Sequence, residues 1–268
     1  MGDARTAKID DPLAKRLRPE RVNYATGVML DAQDFLDEQT YHRARLARVL
    51  QCALGMGTLV GLRVKAPEAN DPELRLRVEP GVAIDRLGRL IEIGGLQCIR
   101  LRKWYDDVEP SDLVLSMSGD FVVADVFLSA HTCGQAKTPA FAAGPFDALD
   151  AVIPARLEDC FELKLVPRLE EKPGVPENFW KKDAADPLEQ IMATQLENAD
   201  ALLPLVEHVE NTDYTAVLLA RVKIPATVVG GQARPVLGDP AKIEADNKVR
   251  PFIFVAGKWL GSPAKKAA

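Results

Sequence analysis

The chain has 268 residues, 47% hydrophobic and 27% charged, with a formal net charge of -5. The length suffices for one large β domain or two small ones, and the balance excludes wholesale disorder. The acidic excess argues against a general nucleic-acid or membrane-surface binder, because tracking phosphates needs a basic excess.

Met1-Gly2-Asp3-Ala4-Arg5 opens on charge with no apolar stretch behind it. That start predicts synthesis in the cytoplasm without a Sec leader. No apolar run approaches the roughly 20 residues that span a bilayer. Residues 1-30 are charged and proline-punctuated, and read as an extended arm ordered only where its apolar residues dock. A helix is then predicted from Ala32 to Leu54, inside a segment 31-55. Asp31 is the N-cap, Leu30 and Phe35 form a hydrophobic staple, and Gly55 is the stop. Asp34 and Asp37 sit in the first turns and Arg43, Arg45 and Arg48 follow, as the helix dipole favours. Phe35, Gln39, His42, Leu46, Val49 and Ala53 fall at alternating spacings of four and three. They form one stripe in the heptad sense, polar in its first half and apolar in its second.

The period then changes to that of strands. Leu59 to Val64 is a short apolar run, and Leu74, Leu76 and Val78 alternate with Arg75, Arg77 and Glu79. Pro80-Gly81 turns the chain, Val82-Ala83-Ile84 begins another strand, and Asp85-Arg86-Leu87-Gly88 turns it again. Leu90 to Ile93 and Leu96 to Leu101 complete a β-meander over 56-130. Further strands are expected at Leu113 to Met117, Phe121 to Ser129, Cys160 to Val166, Tyr214 to Ile224 and Pro251 to Val255. Two irregular stretches, Ala130 to Arg156 and Pro167 to Pro187, divide them, with a modest helix from Pro187 to Asn198. The organisation read here is α+β and mainly β. An amphipathic helix leads into an antiparallel, sandwich-like body with long loops, a second β-rich region spans 131-260, and a disordered tail spans 261-268.

Chemistry is scarce. His42, His131 and His208 make no H-x-H or HExxH pattern, and Cys52, Cys98, Cys133 and Cys160 lack the close pairs of metal sites. The cysteines read as reduced, packed small hydrophobes. His131-Thr132-Cys133-Gly134 is the best candidate for a reactive Cys–His pair or a metal half-site, against its plainer reading as a strand end entering a loop. No phosphate loop and no Gly-x-Ser-x-Gly elbow is present. The expectation is no catalytic residue, no metal and no cofactor. Trp104-Tyr105, Phe179-Trp180 and Trp259 are interface anchors or plugs at the sheet ends.

Three strings carry a resemblance. They are Leu30-Asp31-Ala32-Gln33-Asp34-Phe35-Leu36-Asp37-Glu38-Gln39-Thr40-Tyr41-His42, Gly55-Met56-Gly57-Thr58-Leu59-Val60-Gly61-Leu62-Arg63-Val64, and Val78-Glu79-Pro80-Gly81-Val82-Ala83-Ile84-Asp85-Arg86-Leu87-Gly88-Arg89. In this order they resemble a group of bacterial proteins encoded among the genes of phage-tail-like contractile injection systems and related prophage tails. That group shows L-x-x-x-D-F-x-x-E-Q-x-Y-H, G-x-G-x-x-x-G-L-x-V and V-x-P-G-x-A-x-D-x-x-G-R. The match covers the first third of the chain, and loosely Val217 to Val222. Leu54 stands where the group has His before the first glycine.

The resemblance implies a non-enzymatic particle component at the baseplate, fibre-attachment or cap end, present as a homo-oligomer or in several copies within the assembly. It would be built into a tail-like particle that is released, and its partners would be the other subunits rather than nucleic acid or membrane. The residues expected to make contacts are Tyr24, Leu30, Phe35, Gln39, Tyr41, His42, Leu46, Val49, Trp104, Tyr105, Phe179 and Trp180. Among them Leu30, Phe35, Leu46 and Val49 are expected to fix the helix to the meander, while Tyr24, Tyr41 and the long loops meet partners. The alternative is a free-standing binding module for a glycan or cell surface at a fibre tip.

Overall fold

The computed structural model describes residues 8–14, 19–68, 70–139, 152–176, 205–210, 212–230 and 234–253. Phe179, Trp180, Trp259, the expected helix from Pro187 to Asn198 and the tail 261-268 lie outside the described residues, as do Phe254 and Val255 of the last expected strand.

Helix α1 runs Ala32–Leu54, as its caps predict. Asp31 Oδ1 accepts from the amides of Gln33 at 2.8 Å and Asp34 at 3.2 Å, and Asp34 Oδ2 accepts in return from the Asp31 amide at 2.9 Å. Three amides that the helix leaves unpaired are thereby satisfied. Gly55 ends the helix at φ 75, a backbone conformation that costs glycine little.

The next six strands are nested rather than simply sequential. β2 (Gly57–Gly61), β5 (Gly81–Ile84) and β6 (Leu90–Ile93) form one antiparallel sheet in the order β2-β5-β6. β3 (Val64–Lys65), β4 (Arg75–Val78) and β7 (Gln97–Arg100) form another in the order β3-β4-β7. The apolar run expected from Leu59 to Val64 breaks at Leu62, which takes φ 55, and the facing chain bends at Pro80. The Leu62 amide donates to Pro80 O at 3.2 Å and the Glu79 amide to Arg63 O at 3.0 Å, so the pairing turns the corner intact. The predicted alternation holds: Leu74, Leu76 and Val78 are buried.

The third sheet has seven strands centred on β9 (Phe121–Pro139). On one side β10 (Val152–Pro167) pairs antiparallel from Val152↔Pro139 to Pro167↔Ala124. On the other, β11 (Val217–Thr227) covers the first half of β9, and β1 (Lys8–Ile9) pairs with Cys133 and Thr132. β8 (Met117–Ser118) joins β9, while β12 (Val236–Leu237) and β13 (Glu244–Asp246) join β11. Val122, Ala124, Val126 and Leu128 of β9 meet Leu62, Leu76, Ile93 and Leu101 in one continuous core between the sheets. Among the described residues the fold is mainly β and antiparallel, with an N-terminal helix and no closed barrel.

Three expectations need correction. Leu113 to Met117 is not a strand: α3 occupies Pro110–Leu115 and β8 begins only at Met117. Pro110 at the first helical position and Asp112 in the first turn favour that helix. The stretch from Ala130 to Arg156 is not irregular throughout, since β9 extends to Pro139 and β10 starts at Val152. There each strand supplies the other's backbone partners, which overrides a composition rich in Ala, Pro and Gly. Trp104 and Tyr105 lie in a short helix, α2 (Leu101–Asp107), rather than in a strand end or loop.

Candidate interaction surface

Helix α1 is held by contacts along one narrow line of its surface. Ala47 is its one buried residue, at 7% exposure, and its main chain lies against Gly88 in the β5–β6 turn. One helical turn on, Gln51 Nε2 donates to Arg86 O. One turn back, Arg43 Nη2 donates to Asp11 Oδ1 at 3.3 Å.

Asp11 begins a chain of polar contacts beneath the helix. Its Oδ2 lies 3.6 Å from Arg89 Nη1, and Arg89 Nε donates to the fully buried Asp85 at 2.6 Å. Arg89 Nη2 donates to Thr215 Oγ1 at 2.9 Å, and that hydroxyl donates to Asp213 Oδ1 at 2.6 Å. Burial pushes the Asp85 carboxyl up, against the opposing pull of Arg89. Burial also works on Asp213, but there the Thr215 hydroxyl and amide and the Arg89 charge prevail and hold it below the usual range. The Asp-x-x-Gly-Arg string therefore has a structural meaning. Asp85 accepts from the Leu87 and Arg89 amides at 2.9 and 2.8 Å, shaping the turn on which Gly88 receives the helix.

Docked by this line, α1 turns its heptad row toward solvent. Phe35 is 55% exposed and Leu46 and Val49 are each 62% exposed. Leu30 is exposed as well. These four residues do not fix the helix to the meander, and that expectation is corrected. The small side chain of Ala47, and Gln51, which reaches a carbonyl, do so instead. Large apolar side chains left in water forgo about 1.5–3 kcal/mol apiece of burial. Gln39, His42 and Ala53 of the same row are exposed too. His42 Nε2 stands 2.8 Å from Glu38 Oε1, while Glu38 Oε2 is shielded from solvent with no hydrogen-bond partner among the described residues.

Tyr24 is exposed, on the segment before the helix. Tyr41 is half-buried, edge-on to His42 with ring centres 5.4 Å apart, and Arg45 lies over its ring at 5.8 Å. Tyr105 is buried and Trp104 half-buried against the core. Trp104 Nε1 donates to Leu165 O at 2.6 Å, and the buried Tyr105 hydroxyl donates to Pro235 O at 2.7 Å. Burial pushes the Tyr105 phenol up, with Arg234 above its ring acting against that.

The His131–Cys133 pair shares one face of β9, and Cys160 faces His131 from β10. His131 Nε2 lies 2.9 Å from Glu162 Oε2. Burial and the neighbouring Cys133 push the Cys160 thiol up to about 12, which leaves it protonated and a poor nucleophile at neutral pH. No group of three or more metal-ligand side chains gathers among the described residues.

A second buried ionic cluster was not foreseen. Asp125 of β9 receives a bidentate pair from Arg221 of β11, at 2.8 and 2.9 Å, and Arg168 Nη1 lies 3.3 Å away. Arg168 also donates to Glu207 O at 2.6 Å, and Arg221 to the carbonyls of Pro173 and Gly174 at 3.0 and 2.9 Å. The cluster thus fastens two loop segments to the sheet. Its members lie far apart in the chain, and the apolar run of β11 around Arg221 was the one sequence signal of a buried charge.

No protein-family model and no curated protein matches the sequence. Among solved structures, a chain of "The baseplate complex from the type VI secretion system" is similar at 12% identity and a TM-score of 0.37. The similarity covers 86% of this chain, which spans 58% of that one. Among the described residues no helix is long and apolar enough to cross a membrane.

Proposed function

We propose that the protein is a non-enzymatic, multi-copy structural component of a phage-tail-like contractile injection particle. It acts as an adaptor at the baseplate, fibre-attachment or cap end, working through subunit contacts and without a cofactor. One observation carries this reading: α1 is locked in place by Ala47, Gln51 and Arg43 while Phe35, Leu46 and Val49 point outward. A helix recruited for its own domain's core would bury that row, whereas one recruited for assembly keeps it open for a neighbour. The three strings that resemble proteins of such gene clusters support the same reading. They lie in α1 and in the strands that receive it.

The test is expression of the protein alone and together with the products of its neighbouring genes. Co-purification with sheath, tube or baseplate proteins is the expected result. A stable monomer that binds none of them overturns the reading.

A further inference from the structure

We propose that α1 is a hinged rod, which leaves the β5–β6 turn and returns to it as an intact helix, pivoting about Gly55 and Met56. The inference concerns the protein by itself and does not depend on the particle reading.

The hold of the body on the helix is slight. No leucine, valine or phenylalanine of α1 is buried, and Ala47 alone is. Tyr41, Ala44 and Leu50 are half-buried beside it. A docked helix draws most of its attachment from burying its apolar face, and here that face stays in water. What remains is polar: Gln51 on the Arg86 carbonyl, and the partly exposed Arg43 on Asp11. Undocking exchanges each of these for bonds to water, so little net free energy opposes release.

The rod carries its own structure with it. Its capping box joins only Asp31, Gln33 and Asp34. Gln33 Nε2 donates to Asp37 Oδ1 at 2.8 Å, His42 Nε2 stands 2.8 Å from Glu38 Oε1, and Arg48 Nη1 donates to Gln51 Oε1 at 3.3 Å. Arg45 lies over the Tyr41 ring. All of these pairs lie within about one turn of the helix, and none needs the body. At 23 residues α1 is also longer than the roughly 12–15 below which an isolated helix is marginal.

Both ends permit the swing. Residues 19–30 contain no buried side chain that would pin the start of the helix. At the other end the chain passes from free to clamped within two residues. Gly55, at φ 75, has open space where a side chain would point. Gly57 lies so close to the Pro251 carbonyl that a Cβ has no room. The Thr58 amide donates to Pro251 O at 2.9 Å, and the Ile253 amide to Thr58 O at 3.0 Å. Rotation confined to a helix end beside a fixed strand makes a hinge.

The experiment uses the full chain with its four cysteines replaced by serine and spin labels on Leu36→Cys and Leu96→Cys, two exposed sites on α1 and between β6 and β7. Pulsed electron paramagnetic resonance reads the distance between them. One dominant distance is expected, with a minor second population. Arg43→Ala with Gln51→Ala removes both polar holds and should raise that second population about tenfold, with the helical far-ultraviolet signal unchanged. A double variant that keeps the single original distance overturns the proposal. A new population that appears together with loss of helical signal also overturns it, because α1 then melts instead of pivoting. Co-purification with neighbouring gene products is a separate readout, so the particle reading stands or falls independently of these distances.

Discussion

Gly88 lies against the main chain of Ala47, with no space for a Cβ between its α-carbon and the Ala47 carbonyl oxygen. The helix therefore approaches the β5–β6 turn closely, and a small residue on each side permits it. Gly88 also sits at φ 85, so two requirements fall on one position.

Replacing Gly88 with valine should cost more than about 1 kcal/mol, because a β-branched residue meets both the steric barrier and the backbone strain. Amide exchange should accelerate in the second half of α1 while β9 and β11 stay protected. Hydrogen exchange read by mass spectrometry checks this. Equal protection of α1 in both proteins would show that the close approach does not hold the helix.

Asp125 is fully buried between Arg221 and Arg168, and removing its charge leaves two cations without their shared partner. Asp125→Asn should lower stability by about 3–5 kcal/mol in urea unfolding. Glu170 is half-exposed where it meets Arg168, and Glu170→Gln should cost under about 1 kcal/mol. Similar losses from the two variants would contradict the burial argument.

Glu207 is buried, and that burial pushes its carboxyl above the ordinary value of 4.5, against the pull of Arg86 and Arg168. The folded protein therefore holds the proton to higher pH than the unfolded chain does. Stability contributed by this group falls as pH rises from the ordinary value through the folded one. Glu207→Gln removes the titration, so the variant should gain on the wild type as pH rises from the ordinary carboxylate value through the raised folded one. Urea midpoints measured in parallel across that range test the sign. A constant difference would refute it.

Asp31→Ala removes the Oδ1 that accepts both cap hydrogen bonds at the start of α1 and should cost about 1 kcal/mol. The thermal midpoint reports the loss, and exchange should rise first in the opening turn. Asp31→Asn should recover most of it, since an amide oxygen also accepts.

What could be read in advance was local. The bounds of α1 follow from Asp31 and Gly55, and the inward row of β4 from the alternation of Leu74, Leu76 and Val78, because caps and period-two patterns involve neighbours in sequence. Pro110 and Asp112 also marked α3, but Leu113-Val114-Leu115 read as a strand because three apolar residues fit either period. Beyond Ala130 the strands depended on a hairpin partner, which composition does not reveal. The same limit hid the outward turn of Phe35, Leu46 and Val49. The stripe was evident, but which side of the helix faces the body was decided by Gly88 and Arg86, far along the chain. The Asp125 cluster joins residues 43 and 96 positions apart, and no local signal specifies such pairings.

The β9–β10 ribbon has a mechanical consequence. Its backbone hydrogen bonds run across the strands, over a ladder extending from Val152↔Pro139 to Pro167↔Ala124. A pull on the far end of one strand against the base of the other loads those bonds in shear, many at once. A pull separating both strands at the tip breaks them one after another. The ribbon should therefore behave as a stiff strut along its length and a zipper across it, so the direction of loading sets how much force this part of the protein withstands.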